Sequence, residues 1–422
     1  MSQNRIETSA SCQDDYDPDS LPADEAVARV RAHLQPVNGF EQVALRGALG
    51  RVLAEDVYSK IDVPGHTNSA MDGFAIRGTD IPADGARSLA IIGTAWAGRP
   101  FKGECGAGEC VRIMTGAPMP TGADSVVIVE RAEVQGESIR IGADNKSGQN
   151  VRAAGEDIAR GTRVLAAGQR LLPAQLGLLA SLGIGEVKVT RRLRVAFFST
   201  GDELKNVGEP LGKGDVYDSN RYTLHGMLSR LGADIIDMGV IRDEPQALEA
   251  AFSQAARLAD VVITSGGVSM GEADFVKQTL GKLGQIDFWK VAMKPGRPLA
   301  FGRIGDAWFF GLPGNPVTVM VTFYVFVQPA LHELMGAPAS PPLTLKLPCV
   351  SKLKKRPGRV EYQRGVMERS EQGQLTVRKT GAQGSGILTS MAAANCFIVL
   401  PMASGNVQPG TEVDVLPFSD FV

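Results

Sequence analysis

The sequence predicts an α/β protein of several domains, built around a doubly wound, mostly parallel sheet. Three observations carry the prediction. The chain has 422 residues, more than one ordinary core accommodates, so about two to four domains are expected. Residues 193–335 alternate between apolar strand-like runs and segments of helical spacing, the signature of a parallel sheet with crossover helices. The flanks lack that alternation and read as smaller β domains. Apolar content of 44% and charged content of 21% match a soluble globular protein.

Residues 1–20 are polar and acidic, with Asp14, Asp15, Asp17 and Asp19, and are expected to be disordered. Residues 21–59 hold one amphipathic helix, ADEAVARVRAHL. Residues 60–145 are rich in Gly and Val, with short strand-like runs (LAIIGTA, SVVIVER), and read as an inserted β domain. Residues 146–190 are turn-rich, then helical from Pro173 to a stop at Gly183, and are expected to join 21–59 in one discontinuous domain. In the α/β region, 191–335, LRVAFFST is a strand. SNRYTLHGMLSRLG is a helix capped by Ser219 or Asn220, with Leu224, Met227, Leu228 and Leu231 on one face and Gly232 as its stop. ADIIDMGVI is a strand, and Asp243 with Pro245 opens the next helix. DVVITS, IDFWKVAM, PLAFGRI and AWFFGLP are further strands, and a long apolar helix begins near Asn315. Residues 336–422 open on a PASPP linker and continue in short alternating segments (RVEYQRGVM, QLTVRK, CFIVLP, EVDVLP) that suggest a small barrel or sandwich.

Several function classes are excluded. A net charge of −2 argues against a general nucleic-acid binder. The run VTVMVTFYVFV is far short of the roughly 20 residues that span a bilayer. The N-terminus has no apolar signal region. The five cysteines are scattered without CxxC, and the four histidines form no HExxH, which disfavours a disulfide framework or structural zinc. The cytoplasm is the expected home.

The stretch TSGGVSMGEAD, residues 264–274, leaves a strand through glycines and hydroxyls and reaches Glu272 and Asp274. In open parallel sheets, ligands bind beyond the carboxyl ends of the strands. The other strands deliver STGDE with Glu203, then Arg242 and Asp243, and LPGNP with Pro313 and Pro316. Hydroxyls such as Ser265, backbone N–H groups at Gly266 and Gly267, and helix N-termini suit a phosphate. Glu203, Asp243 and Asp274 are hard oxygen ligands suited to Mg²⁺. Lys290, Lys294 and Arg297, in KVAMKPGRP, supply charge for further oxyanions. The chemistry that follows is metal-assisted phosphoryl or nucleotidyl transfer.

Each residue also has a plain reading. Serine and glycine often only turn a chain. Asp243 before Glu-Pro is a good helix cap, Glu203 a solvated loop acid, and Lys290 and Lys294 surface charge. Convergence of four strand ends favours a site. NSAMDGFAIRG (68–78) and RIMTGAPMPTGAD (112–124) place Asp72 and Thr115 in polar loops without period, where the plain reading is a turn. The basic run KLKKRPGR (352–359) lacks interleaved aromatics and reads as a solvated face or an anion pocket.

In order, NSAMDGFA, RIMTGAPMPTGAD, GQNVRAAGED, STGDEL, SNRY, TSGGVSMGEAD, KVAMKPGRP, GLPGNPV and GSGILTSMAAANCFIVLP resemble the molybdopterin molybdenumtransferase family, from about residue 21 to the C-terminus. The resemblance implies an elongated discontinuous domain carrying the inserted β domain, a molybdopterin-binding α/β domain and a C-terminal β-barrel-like domain. It implies a homodimer in which Asp72 and Thr115 reach the partner's α/β domain, and contact with other molybdenum cofactor enzymes. The implied reaction takes adenylyl-molybdopterin and molybdate to molybdenum–molybdopterin and AMP, with a divalent cation, usually Mg²⁺. Glu203, Asp243 and Asp274 would hold metal and phosphoanhydride, and Lys290 and Lys294 the anionic substrate. Pro313 and Pro316 would shape a loop over the pterin, and Ser385 with a basic residue near Arg359 would place molybdate. Residue types do not separate molybdate from tungstate. Two rivals are an adenylyltransferase, which shares the α/β domain but is a short chain, and a scaffold, which has no need of four such acids.

Overall fold

The computed structural model describes residues 20–267, 274–337 and 341–420. The acidic stretch before residue 20, Ser269, Glu272 and the side chain of Asp274 lie outside the described residues. The chain divides into two compact units, 42–189 and the remainder.

The first unit is built on a six-stranded sheet. Its strands are β1 (Gly73–Ile76), β2 (Ala86–Ala95), β3 (Glu109–Ile113), β4 (Ser125–Ile128), β5 (Ala132–Gln135) and β6 (Ser138–Gly142), in the order β4-β1-β3-β2-β6-β5. Its two faces bury separate apolar clusters, one around Phe74, Ile76 and Val127, the other around Ala75, Val111 and Val126. Period-2 alternation sends neighbouring residues to opposite faces. Helix α2 (Pro173–Ser181) starts on its proline and packs Leu179 into a third cluster with Leu53 and Val189.

In the second unit, helix α1 (Ala23–His33) precedes the α/β region. There the strands are β7 (Arg194–Thr200), β8 (Asp234–Ile241), β9 (Val261–Ser265), β10 (Gly284–Lys290), β11 (Met293–Lys294), β12 (Pro298–Ile304) and β13 (Ala307–Leu312). All but β11 form one sheet, in the order β8-β7-β9-β13-β12-β10. The first four strands are parallel, and β12 and β10 close it antiparallel. Helices α3 (Ser219–Leu231), α4 (Pro245–Leu258), α5 (Asp274–Leu283) and α6 (Pro316–Leu334) connect or follow them. Phe198, Phe252 and Phe309 lock α4 to the sheet edge-to-face, with centroids 5.1 and 5.6 Å apart. Two helix starts differ from expectation. Asp218, rather than Ser219 or Asn220, caps α3, because its Oδ1 accepts the Arg221 N–H at 3.1 Å. Asp243 is not the N-cap of α4: the helix begins at Pro245, and the N-cap is Glu244, whose side chain makes no cap bond. Helix α6 is long and apolar enough to cross a membrane by length and composition, but 67% of its most apolar stretch is buried inside the protein. A π turn, Phe323–Val327, interrupts it.

The C-terminal strands are β14 (Leu345–Pro348), β15 (Val360–Arg369), β16 (Leu375–Lys379), β17 (Cys396–Leu400) and β18 (Glu412–Pro417). They pair as β15-β17-β18-β14, with β16 on the free edge of β15. A bridge from Cys349, just past β14, to Val377 in β16 brings the ends round into a barrel-like closure. Strand β11 joins β15 in parallel, Met293 opposite Val360 and Lys294 opposite Glu361. The α/β region and the barrel therefore share backbone hydrogen bonds.

Candidate active site

The sheet order places β7 between β8 and β9, so the chain's winding reverses between β7 and β9. Such a reversal opens a crevice beyond the strands' carboxyl ends. Three loops crowd that point. The Ser199 and Ser265 hydroxyls, on adjacent strands, lie 2.9 Å apart and are buried. The Gly266 N–H donates to the Leu312 carbonyl at 3.0 Å. Asn220, at the start of α3, donates from Nδ2 to the Gly314 carbonyl at 2.7 Å. The glycine is required at 266: its φ is +94°, and a Cβ there would stand 2.5 Å from the Thr200 carbonyl oxygen.

This crevice leaves polar atoms unanswered. Thr200 Oγ1, Thr264 Oγ1, Asp218 Oδ2 and Asn220 Oδ1 are buried without a hydrogen-bond partner among the described residues. A buried orphan polar group is costly, about 1–3 kcal/mol, and four at one edge point to a polar ligand that completes them.

Acids stand on one side of the crevice. Glu203 follows β7 and Asp243 follows β8, both exposed. Asp202 Oδ1 accepts the Asp243 N–H at 3.4 Å, drawing the two loops together. Cations stand on the other side, where Lys290 ends β10 and Lys294 lies in β11, both exposed. Five strand steps separate β8 from β10, or about 24 Å at ~4.8 Å per step. Pro313 and Pro316 bracket Gly314 between β13 and α6. The Ser385 carbonyl accepts the Val317 N–H at 3.1 Å, so the barrel's turn at Ser385 sits on the start of α6.

Asp72 and Thr115 meet in the other unit. Asp72 Oδ1 accepts both the Thr115 N–H at 2.6 Å and its hydroxyl at 2.8 Å. The backbone bond first and the hydroxyl second hold this carboxyl below its ordinary range.

One buried cation of this region lies in the basic run 352–359, and a second escaped sequence reasoning. Lys355 is 4% exposed, with Nζ donating to the Arg356 carbonyl. Arg364 is 1% exposed, donating from Nε to Ser390 Oγ and from Nη2 to the Gly384 carbonyl, each at 2.9 Å. No carboxylate pairs with it among the described residues, and burial pushes its pKa down to about 10. It remains a cation at neutral pH, directly behind the loop that carries Ser385. Arg359 is half-buried beside Val360. The only hint for Arg364 was an arginine inside a strand-like run, EYQRG.

An open α/β domain with glycine-bounded, partly unsatisfied polar loops at its winding reversal defines a class, the binders of phosphorylated or otherwise anionic ligands. Comparison with known proteins narrows the class. The family model for the MoeA N-terminal region (domain I and II) matches residues 21–183, the one described as "Probable molybdopterin binding domain" matches 196–333, and that for the MoeA C-terminal region (domain IV) matches 346–418. The molybdopterin molybdenumtransferase of Haemophilus influenzae is 44% identical over 402 residues, covering 94% of this chain and 99% of that one. Gephyrin of Dictyostelium discoideum is 35% identical over 447 residues, covering 94% of this chain and 62% of that protein. A crystal structure of the molybdopterin biosynthesis MoeA protein from Pyrococcus horikoshii OT3 matches with a TM-score of 0.83 at 28% identity, covering 94% of this chain and all of that one. The chain belongs to the MoeA family of molybdopterin molybdenumtransferases.

Proposed function

We propose that the protein inserts molybdenum into molybdopterin, taking adenylyl-molybdopterin and molybdate and releasing AMP. The observation that carries this reading is the crevice at the β7–β9 reversal, with its orphaned buried oxygens between an acidic and a basic end. A substrate with a phosphoanhydride at one end and further anionic groups at the other suits that division of charge.

In this reading Gly266 and Gly267 let backbone approach the phosphates, and Ser265 and Thr200 orient them. Lys290 and Lys294 bind the anionic pterin end, and Pro313 and Pro316 shape the loop above it. Ser385 and Arg364, with Arg359 nearby, receive molybdate. Arg364 suits that role because its charge is buried without a carboxylate. Among the described residues no three carboxylate, histidine or cysteine side chains gather as a ready-made metal cage. Mg²⁺ does not need one, since it keeps waters and takes one or two carboxylates with substrate phosphates. Glu203, Asp243 and Asp274 would hold it, and when bound it would polarise the anhydride.

We further propose a cytoplasmic homodimer in which Asp72 and Thr115 complete the partner's crevice. Support comes from an exposed carboxylate that is fixed by two hydrogen bonds. The four-part division 21–59 with 146–190, 60–145, 191–335 and 336–422 belongs to the same reading.

The test mixes purified protein with adenylyl-molybdopterin, Mg²⁺ and micromolar molybdate and follows AMP release and activation of a molybdenum-free apoenzyme. Release that depends on molybdate and is lost in Asp243→Ala and Asp274→Ala is expected; tight molybdopterin binding without release would overturn the reading. Mixing Asp72→Ala with Asp243→Ala should restore part of the activity if the site spans two subunits. No restoration on mixing would sink the shared site.

A further inference from the structure

A large aromatic side chain stands in water near the Asp72–Thr115 pair. Trp96 follows the last residue of β2 and is 52% exposed. Its N–H donates to the Arg99 carbonyl at 3.0 Å, and the Arg99 N–H donates back to the Trp96 carbonyl at 2.9 Å. Ala97 and Gly98 turn the chain between them, with Gly98 at φ +77°. Residues that exchange both bonds across an antiparallel pair send their side chains to one face. Trp96 and Arg99 therefore share a face of this hairpin.

The sheet register connects that face to Asp72. Strand β3 lies between β1 and β2. Within it Arg112 stands opposite Phe74 on one side and Thr94 on the other. Two residues further along each strand come Asp72, Met114 and Trp96, on the same face by alternation. The Met114 N–H donates to the Ala95 carbonyl at 3.1 Å and continues the pairing. Two strand steps separate Asp72 from Trp96, or ~10 Å. Arg112 is exposed. After the two Thr115 bonds, its charge also lowers the Asp72 carboxyl, as expected of neighbours on one face. Among the described residues no hydrogen bond or ion pair holds the guanidinium of Arg99 or Arg112. The face thus presents an exposed indole and two uncommitted guanidinium groups beside a carboxylate that Thr115 already engages.

We propose that this face receives the adenylate group of the substrate, the purine stacking on Trp96 and the phosphate meeting Arg99 and Arg112. An aromatic platform accepts any flat heteroaromatic ring, and a guanidinium fork matches phosphate oxygens. Together they suit a ring that carries an anion. The inference rests on the reaction proposed above. There Lys290, Lys294 and the proline loop take the pterin end, which leaves the adenine without a platform. That reading also brings Asp72 and Thr115 to a partner's crevice, and Trp96 travels with them on the same sheet edge.

The test uses the full chain and begins without turnover. AMP is titrated while the red edge of tryptophan emission is followed, since Trp289 and Trp308 are half-buried and Trp96 is exposed. A saturable quench is expected, and Trp96→Phe should abolish it. By calorimetry Trp96→Phe, which keeps a ring, should hold AMP within about threefold of the native affinity, and Trp96→Ala should weaken it on the order of tenfold. Arg99→Gln with Arg112→Gln should weaken it by a similar factor and flatten its salt dependence. Ribose 5-phosphate, an anion without a purine, should bind no better than inorganic phosphate. An AMP affinity untouched by Trp96→Ala, or ribose 5-phosphate binding as well as AMP, would overturn the proposal. In the AMP-release assay Trp96→Ala should raise KM for adenylyl-molybdopterin more than it lowers kcat. Turnover whose KM ignores Trp96→Ala would overturn the place of this face in the substrate site. AMP binding that needs Trp96 in a chain without turnover would uphold the face and count against the proposed reaction.

Discussion

Replacing Arg364 by methionine separates fold from function at one buried position. Burial holds the guanidinium at about 10. At about 1.4 kcal/mol per pKa unit, keeping it charged there costs about 3 kcal/mol. Its hydrogen bonds to Ser390 and Gly384 return about 1.5–3 kcal/mol each as charge-assisted bonds, so the position is near balance. Methionine removes cost and gain together and fills much of the same volume. Ser390 keeps its own bond to the Ile387 carbonyl, and Gly384 is exposed to water. The expected change in stability is within about 1 kcal/mol. The loop carrying Ser385 loses its anchor and the site a cation, so the molybdate concentration for half-maximal AMP release should rise on the order of 100-fold, the equivalent of about 3 kcal/mol. Urea unfolding followed by a barrel-specific probe measures the first quantity and AMP release against molybdate the second. Unaltered molybdate dependence would refute the role of Arg364, and a loss of 4 kcal/mol or more (about the cost of breaking a buried ion pair) would refute the balance. Arg364→Lys keeps the charge but not the planar fork, and should fall between.

Gly266→Ala should cost about 2–4 kcal/mol and abolish activity, because its Cβ meets the Thr200 carbonyl at 2.5 Å in a left-handed backbone; thermal melting and AMP release check it, against Ser265→Ala, which loses one hydrogen bond worth about 1 kcal/mol. Thr115→Val removes the hydroxyl bond to Asp72, so the carboxyl titration followed by NMR should move up toward about 3.9. Because the folded value in the native protein is depressed, its stabilisation is present above the unfolded pKa and is lost as pH falls through the folded one, and the variant should show a weaker acid loss below about pH 4. Asp260→Asn should destabilise by about 2–4 kcal/mol in urea. Burial alone would raise Asp260, but the Arg191 fork at 2.8 Å on both oxygens and the Arg194 N–H outweigh it and hold it low.

The central sheet was legible because both faces of β7, β9 and β13 are covered, which writes VAFF, VVIT and WFFG as unbroken apolar runs. The crevice followed from topology, since loops at strand ends meet wherever the order reverses. Cap positions were less legible. Asp218, Ser219 and Asn220 all suit an N-cap, and Asn220 is drawn off to Gly314 by a contact 94 residues away. The roles of Asp72 and Ser385 came from family resemblance and not from spacing. Arg364 was illegible for one reason. A strand's period tells which residues share a face, not whether another layer covers it. The face of the barrel bearing Tyr362 and Phe397 is covered by Tyr324 of α6, with Phe397 6.0 Å from Tyr362 and 6.2 Å from Tyr324. The basic end of the sheet, where Lys290 closes β10, lies about 24 Å, five strand steps, from the Asp243 loop. A single phosphate cannot touch both ends of such an edge. A ligand that does must be extended and anionic at each end, which a dinucleotide-like pterin satisfies and a mononucleotide does not.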